Sequence, residues 1–184
     1  MSYTETLIPG LILLSTKMFY DDRGYFFENY NKKAFEDFGI TTDFVQDNIS
    51  YSKFGSIRGL HFQKNPNAQE KLIRVIRGKI IDVAVDIRKE SDSYGTYTAL
   101  ELSSDNNKQL YIPRGFAHGF SVLSEYAIIE YKCDNFYNKD KEMCINPNDM
   151  TLGIDWKIPK IDMTLSKKDQ SGITFKEYST NPCF

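Results

Sequence analysis

Residues 79–87 read KIIDVAVDI, a run whose side chains sort cleanly onto the two faces of a β-strand. Ile81, Val83, Val85 and Ile87 share one face, while Ile80, Asp82, Ala84 and Asp86 share the other. Gly78 separates this run from a second strand-like stretch, Leu72 to Arg77, and is expected to turn a hairpin between them. The same pattern continues through Tyr97–Leu102, Gln109–Ile112, Phe116–Val122 and Ala127–Lys132. Asp105, Asn106 and Asn107 mark one turn, and Pro113 to Gly115 another. Short strands at this spacing, without helices between them, predict an all-β sandwich or barrel and not a dinucleotide-binding α/β fold. The absence of GxGxxG and GxxxxGK[ST] motifs agrees. One short helix is expected where Asn31 can cap, Ala34, Phe35 and Phe38 form a stripe, and Gly39 stops the chain. From about Asp149 the pattern weakens around Trp156 and Pro159, and a terminal helix is expected to start near Ser166.

The chain has 184 residues, which favours a single domain, residues 1–184, with a core large enough to need neither disulfides nor a structural metal. Net charge is −2, and basic residues are scattered among acidic ones, so no basic face marks a nucleic-acid or membrane-surface partner. Leu7 to Leu14 (LIPGLILL) is apolar but short and carries Pro9 and Gly10. It does not read as a signal peptide, and no run reaches the ~20 apolar residues of a membrane span. Cys133, Cys144 and Cys183 are odd in number and contain no CxxC pair, which fits free thiols in a reducing cytoplasm.

There are two histidines, His61 in RGLHFQ and His118 in IPRGFAHGF. Alternation places His61 opposite Phe62, and puts His118 on the face of Phe116, Phe120 and Val122. A histidine on a strand is ordinarily a satisfied, partly buried residue; the surrounding glycines and charges favour a functional role. PRGFAH, with Pro113, Gly115 and His118, resembles the second conserved element of the cupin superfamily, a jelly-roll barrel. A larger set resembles one branch of it, the dTDP-4-dehydrorhamnose 3,5-epimerases. The matching segments are DDRGYFFE (21–28), FVQDN (44–48), IRGLHFQ (57–63), QEKLIRVIRGKIIDVAVDIRKES (69–91), QLYIPRGFAHGFSVLS (109–124), EYKCDNFYN (130–138) and LSKKD (165–169). They span nearly the whole chain in one order.

The resemblance implies a cupin-type jelly roll with a few short peripheral helices. It also implies an isomerase converting dTDP-4-dehydro-6-deoxy-D-glucose to dTDP-4-dehydro-L-rhamnose, without a cofactor, in dTDP-rhamnose biosynthesis. The substrate's ketone acidifies the hydrogens at C3 and C5. His61 is then the base, held by Asp169; Tyr131 is the acid, with Tyr137 as competitor for that role; Lys71 stabilises the enolate. Asp169 also reads as the third residue of a helix capped by Ser166, and both roles are compatible. By motif position Arg23, Glu28, Gln46, Asn48, Arg58, Lys71, His118, Tyr137, Glu142 and Lys167 contact substrate. A homodimer is implied in which the segment resembling DDRGYFFE reaches the neighbour's site.

Metal-binding cupins need an HxH pair, a glutamate and a further histidine, and His61-Phe62-Gln63 lacks the second histidine, so no metal is expected. Where the family has an acidic residue followed by glycine, this chain has Glu142, Met143 and Cys144, which leaves the substrate less sharply defined than the chemistry. The alternatives are an epimerase acting at one carbon only or on another nucleotide-linked 4-keto sugar, a metal-dependent cupin enzyme, and a non-catalytic sugar-binding module.

Overall fold

The computed structural model describes residues 2–6 and 8–184; Leu7, in the apolar N-terminal stretch, lies outside them. In chain order the elements are β1 (Ser2–Glu5), β2 (Ile12–Ser15), β3 (Phe19–Asp21), β4 (Gly24–Phe26), α1 (Lys32–Glu36), β5 (Gln46–Lys53), β6 (Ser56–Gln63), β7 (Lys71–Arg77) and β8 (Lys79–Asp86). They continue as β9 (Tyr97–Ser103), β10 (Lys108–Ile112), β11 (Phe116–Val122), β12 (Tyr126–Cys133), β13 (Glu142–Cys144), β14 (Thr164–Leu165), α2 (Lys167–Gln170) and α3 (Phe175–Thr180). One sheet has the order β1-β2-β10-β7-β12-β5, and the other β13-β6-β11-β8-β9, with β14 pairing parallel to β6. β3 and β4 form a separate two-stranded arm. The two main sheets pack face to face as a jelly roll.

Between the sheets lies a core of Ile73, Val75, Leu110, Ile112 and Ile129 from one and Ile80, Ala84, Leu102, Phe116, Phe120 and Val122 from the other. β8 is buried on both faces. Its Ile80 and Ala84 enter this core, while Ile81, Val83, Val85 and Ile87 pack outward beneath Leu152, Trp156, Phe175 and Tyr178 of the C-terminal segment. The face assignment read from KIIDVAVDI therefore holds, and the weakly patterned tail is the cover for one of those faces. Trp156 is anchored there by donating Nε1–H to Pro147 O at 2.8 Å. A third cluster, around Phe35, Ile40, Leu72 and Tyr111, seats α1 on the outside of the first sheet. Asn31 caps α1 as expected, its side chain accepting from Ala34 N.

Gly78 does turn the chain with a positive φ of 88°, but not as a hairpin. β7 and β8 belong to different sheets, so the turn carries the chain from one layer to the other. Period-2 alternation looks the same for a strand that pairs with its predecessor and for one that packs across from it, which is why a hairpin was expected.

A close crossing sets the positions of both histidines. β6 and β11 are antiparallel with His118 opposite His61, and the register shifts between His118 and Phe120. At that bulge the strands approach too closely for any side chain. A Cβ on Gly119 would sit 2.7 Å from the Arg58 carbonyl oxygen, and one on Gly59 would sit 2.5 Å from Gly119 Cα. Directly opposed residues of an antiparallel pair point the same way, so both imidazoles turn to the inner face, toward the first sheet.

Candidate active site

The cavity lies between the sheets at one end of the barrel and has two lobes. The larger, about 260 Å³, is lined by Gln46, Asn48, Gln63, Gln69, Cys133, Tyr137 and Glu142 among others. The smaller, about 130 Å³, is lined by Ser50, Arg58, His118, Phe120 and Ile129. His61, Lys71 and Tyr131 line both. These three come from β6, β7 and β12, so His61 and Tyr131 face the same space from opposing sheets.

His61 Nε2 lies 2.6 Å from Asp169 Oδ1. Asp169 is almost fully buried, at 3% exposure, in the first turn of α2, where its backbone N–H also bonds the capping Ser166 Oγ at 3.1 Å. The capping role and the histidine pairing thus coexist in one residue. Burial pushes the Asp169 carboxyl up, but hydrogen bonds from His61 and Ser166 outweigh it and leave the pKa lowered, so the group is a carboxylate. An acceptor-only partner fixes the proton on Nε2 and leaves the Nδ1 lone pair free. His118 makes a similar pair, its Nε2 lying 2.9 Å from Oδ2 of the fully buried Asp82.

Burial lowers the pKa of Lys71, opposed by the negative potential of Cys133, Asp82 and Glu142. No salt bridge among the described residues engages its Nζ, which leaves that group available to an anion developing in the cavity. Burial is also the main cause of the raised pKa of Tyr131, which keeps its phenol protonated. Tyr137 is 54% exposed and donates its hydroxyl to Glu142 at 2.8 Å. Burial pushes Glu142 up, but bonds from Lys168 and Tyr137 hold it below the usual carboxylate range. Gln46 accepts from Tyr137 N and donates to Asn48, while Arg58 donates Nε–H to Ser52 Oγ at 2.8 Å.

The remaining candidates sit apart from the cavity. Arg23, at the tip of the β3–β4 arm, pairs with Asp21, and exposed Glu28 accepts from Asn31. Lys167 is exposed on α2, and it is the next residue, Lys168, that reaches Glu142. Met143 does not enter the site either: β13 runs beside β6 with Cys144 opposite His61, so Met143 turns outward against the C-terminal cluster. Gln63, Gln69, Cys133 and Ser50 line the cavity without having been singled out. Ser50 lies two residues beyond Asn48 on the same inner face of β5, a signal that alternation carried.

Among the described residues one group, His61, Cys144 and Asp169, brings possible metal ligands together. It is ill suited to an ion. The histidine nitrogen and the carboxylate oxygen already satisfy each other at 2.6 Å, and burial pushes the Cys144 thiol up to about 12, so it stays protonated.

Fold and cavity together place the chain among cupin-type jelly rolls equipped for acid–base chemistry. Comparison with known proteins sharpens that class. The family model for dTDP-4-dehydrorhamnose 3,5-epimerase matches residues 5–177. A Salmonella typhimurium dTDP-4-dehydrorhamnose 3,5-epimerase is 49% identical over 170 residues, covering 92% of each chain. The crystal structure of the Elizabethkingia anophelis enzyme of that name superposes with a TM-score of 0.92 at 50% identity, covering 96% of this chain and 97% of the other. A Legionella pneumophila dTDP-6-deoxy-D-glucose-3,5-epimerase in complex with dTDP-4-keto-L-rhamnose has a TM-score of 0.91 at 41% identity, covering 95% and 93%. The chain belongs to the dTDP-4-dehydrorhamnose 3,5-epimerase family.

Proposed function

We propose that this protein epimerises dTDP-4-dehydro-6-deoxy-D-glucose at C3 and C5, giving dTDP-4-dehydro-L-rhamnose for dTDP-rhamnose biosynthesis. The observation that carries the reading is the shared cavity: His61 approaches it from one sheet, Tyr131 and Lys71 from the other. His61 Nδ1 takes a proton from the carbon beside the ketone. The C–H electron pair moves into the ring and negative charge collects on the ketone oxygen, within reach of the Lys71 ammonium. The Tyr131 phenol returns a proton from the other face, inverting the centre, and solvent then resets both groups. Asp169 steadies the imidazolium formed in the first step.

The larger lobe, rich in amide and charged groups (Gln46, Asn48, Glu142), suits the nucleotide side of the substrate. Incubation of the protein with the keto sugar in deuterated water should place deuterium at both C3 and C5 of the product. Incorporation at one carbon alone would identify a single-site epimerase, and no incorporation would end the reading.

We further infer a homodimer. The β3–β4 arm exposes Phe19, Tyr20, Tyr25 and Phe26 (53%, 73%, 60% and 72%), more aromatic surface than a lone chain in water ordinarily presents. The arm also holds Arg23 out from its own body, with Glu28 exposed just beyond it, consistent with both serving a second copy's cavity. Light scattering should give twice the 21.3 kDa of one chain; a monomer at micromolar concentration would remove the shared-site arrangement. A cytoplasmic location fits the three free cysteines. Among the described residues no helix is long and apolar enough to cross a membrane.

A further inference from the structure

Three buried side-chain nitrogen or oxygen atoms among the described residues have no hydrogen-bond partner: Ser50 Oγ, Arg74 Nε and Gln109 Oε1. Arg74 and Gln109 face each other across β7 and β10, and Arg74 Nη1 and Gln109 Nε2 both donate to Asn29. Ser50 is different, because it lines the smaller lobe of the cavity. It sits on the inner face of β5, opposite Ile129 and two residues from Asn48, which is opposite Tyr131. Its neighbour on that face, Ser52, is occupied by Arg58 Nε–H, so the orphan hydroxyl is Ser50 alone.

A buried hydroxyl without a partner costs stability, and a replacement by alanine at such a place would be neutral or favourable for folding. Its place in an open lobe of the cavity calls for a partner that arrives from outside. The recess joins Lys71, Tyr131 and Arg58, all able to donate to oxygen, to His61 and His118, with Phe120 and Ile129 supplying the apolar wall. A keto sugar held between His61 and Tyr131 directs one edge of its ring into this lobe and the other toward the larger one.

Resting on the epimerase reading above, we propose that Ser50 is a substrate-binding residue whose hydroxyl hydrogen-bonds a sugar oxygen in the smaller lobe. It thereby sets the ring's orientation between base and acid. The contact is to the sugar and not to the nucleotide, so turnover and nucleotide affinity respond to it separately.

The test compares wild type with Ser50→Ala for turnover of dTDP-4-dehydro-6-deoxyglucose, affinity for dTDP alone, and Tm. The expected result is a loss in kcat/KM of roughly 5-fold, the worth of one hydrogen bond to a neutral group, with dTDP affinity unchanged and Tm equal or higher. A kcat/KM within twofold of wild type would overturn the proposal. So would a parallel fall in dTDP affinity or Tm, because Ser50 would then serve the architecture of the barrel. Wild-type turnover in the same assay separates the two claims: an inactive wild type would refute the epimerase reading itself.

Discussion

Replacing His61 with asparagine should lower epimerase turnover by ~10²–10⁴ while the barrel stays folded. Asparagine keeps a polar side chain at the cavity wall, but its shorter amide stops short of the Nε2 position that meets Asp169, and it offers no basic nitrogen to the cavity. The imidazole is partly exposed to the cavity, with 29% of its side-chain surface accessible, so its loss leaves no dry void. The measurement is a steady-state rate beside a thermal melt. A near-wild-type rate would end the assignment of His61 as base. An equal loss of melting temperature would instead show that the Asp169 pair is chiefly structural.

Replacing Tyr131 with phenylalanine should cut product formation by at least ~10² and should separate two events that the wild type couples. With the phenol gone, His61 can still remove and return the same proton, so solvent exchange at a ring carbon continues while inversion fails. Phenylalanine fills the same space beside the core residues that pack on Tyr131, and burial already disfavours charge there, so the fold has little to lose. Deuterium exchange measured with and without product formation is the readout. Wild-type yields of epimerised product would transfer the acid role to Tyr137, which shares the larger lobe but spends its hydroxyl on Glu142.

Much of this arrangement was written in local alternation. The two faces of β8, the inward side of β11 and the place of Tyr131 beside Ile129 all follow from period-2 reading, because a buried strand must match its neighbours on each face. Caps were legible too, since Asn31 and Ser166 bond the backbone a few residues on. What the sequence did not disclose is which strand lies beside which. The turn at Gly78 changes layers, and the Gly59–Gly119 crossing that aligns the histidines joins residues 60 positions apart.

The site followed the same division. Motif position brought His61, Lys71, Tyr131, His118, Gln46, Asn48, Arg58 and Glu142 to one cavity. It also named Lys167 as a substrate contact; that residue is exposed on α2, and the adjacent Lys168 reaches Glu142 at the cavity wall. Helix geometry holds the reason: with Asp169 pointing inward, the residue two before it is rotated about 200° away, whereas its immediate neighbour is rotated by only about 100°. The Met143 departure looked intrusive on paper because its strand neighbour could not be known. Paired with Phe62 on β6, it has the parity that leads out of the cavity.

His61 and the carboxylate that orients it are 108 residues apart. β6, β7, β11 and β12, which supply His61, Lys71, His118 and Tyr131, are all synthesised before Asp169 is added to the chain. The strands that carry the site thus precede in the chain the residue that orients its base. The catalytic pair is complete only with β14 alongside β6 and the Asp169 of α2 against His61. A chain cut before this tail would lack both the oriented base and the apolar cover that Leu152, Trp156, Phe175 and Tyr178 lay over β8.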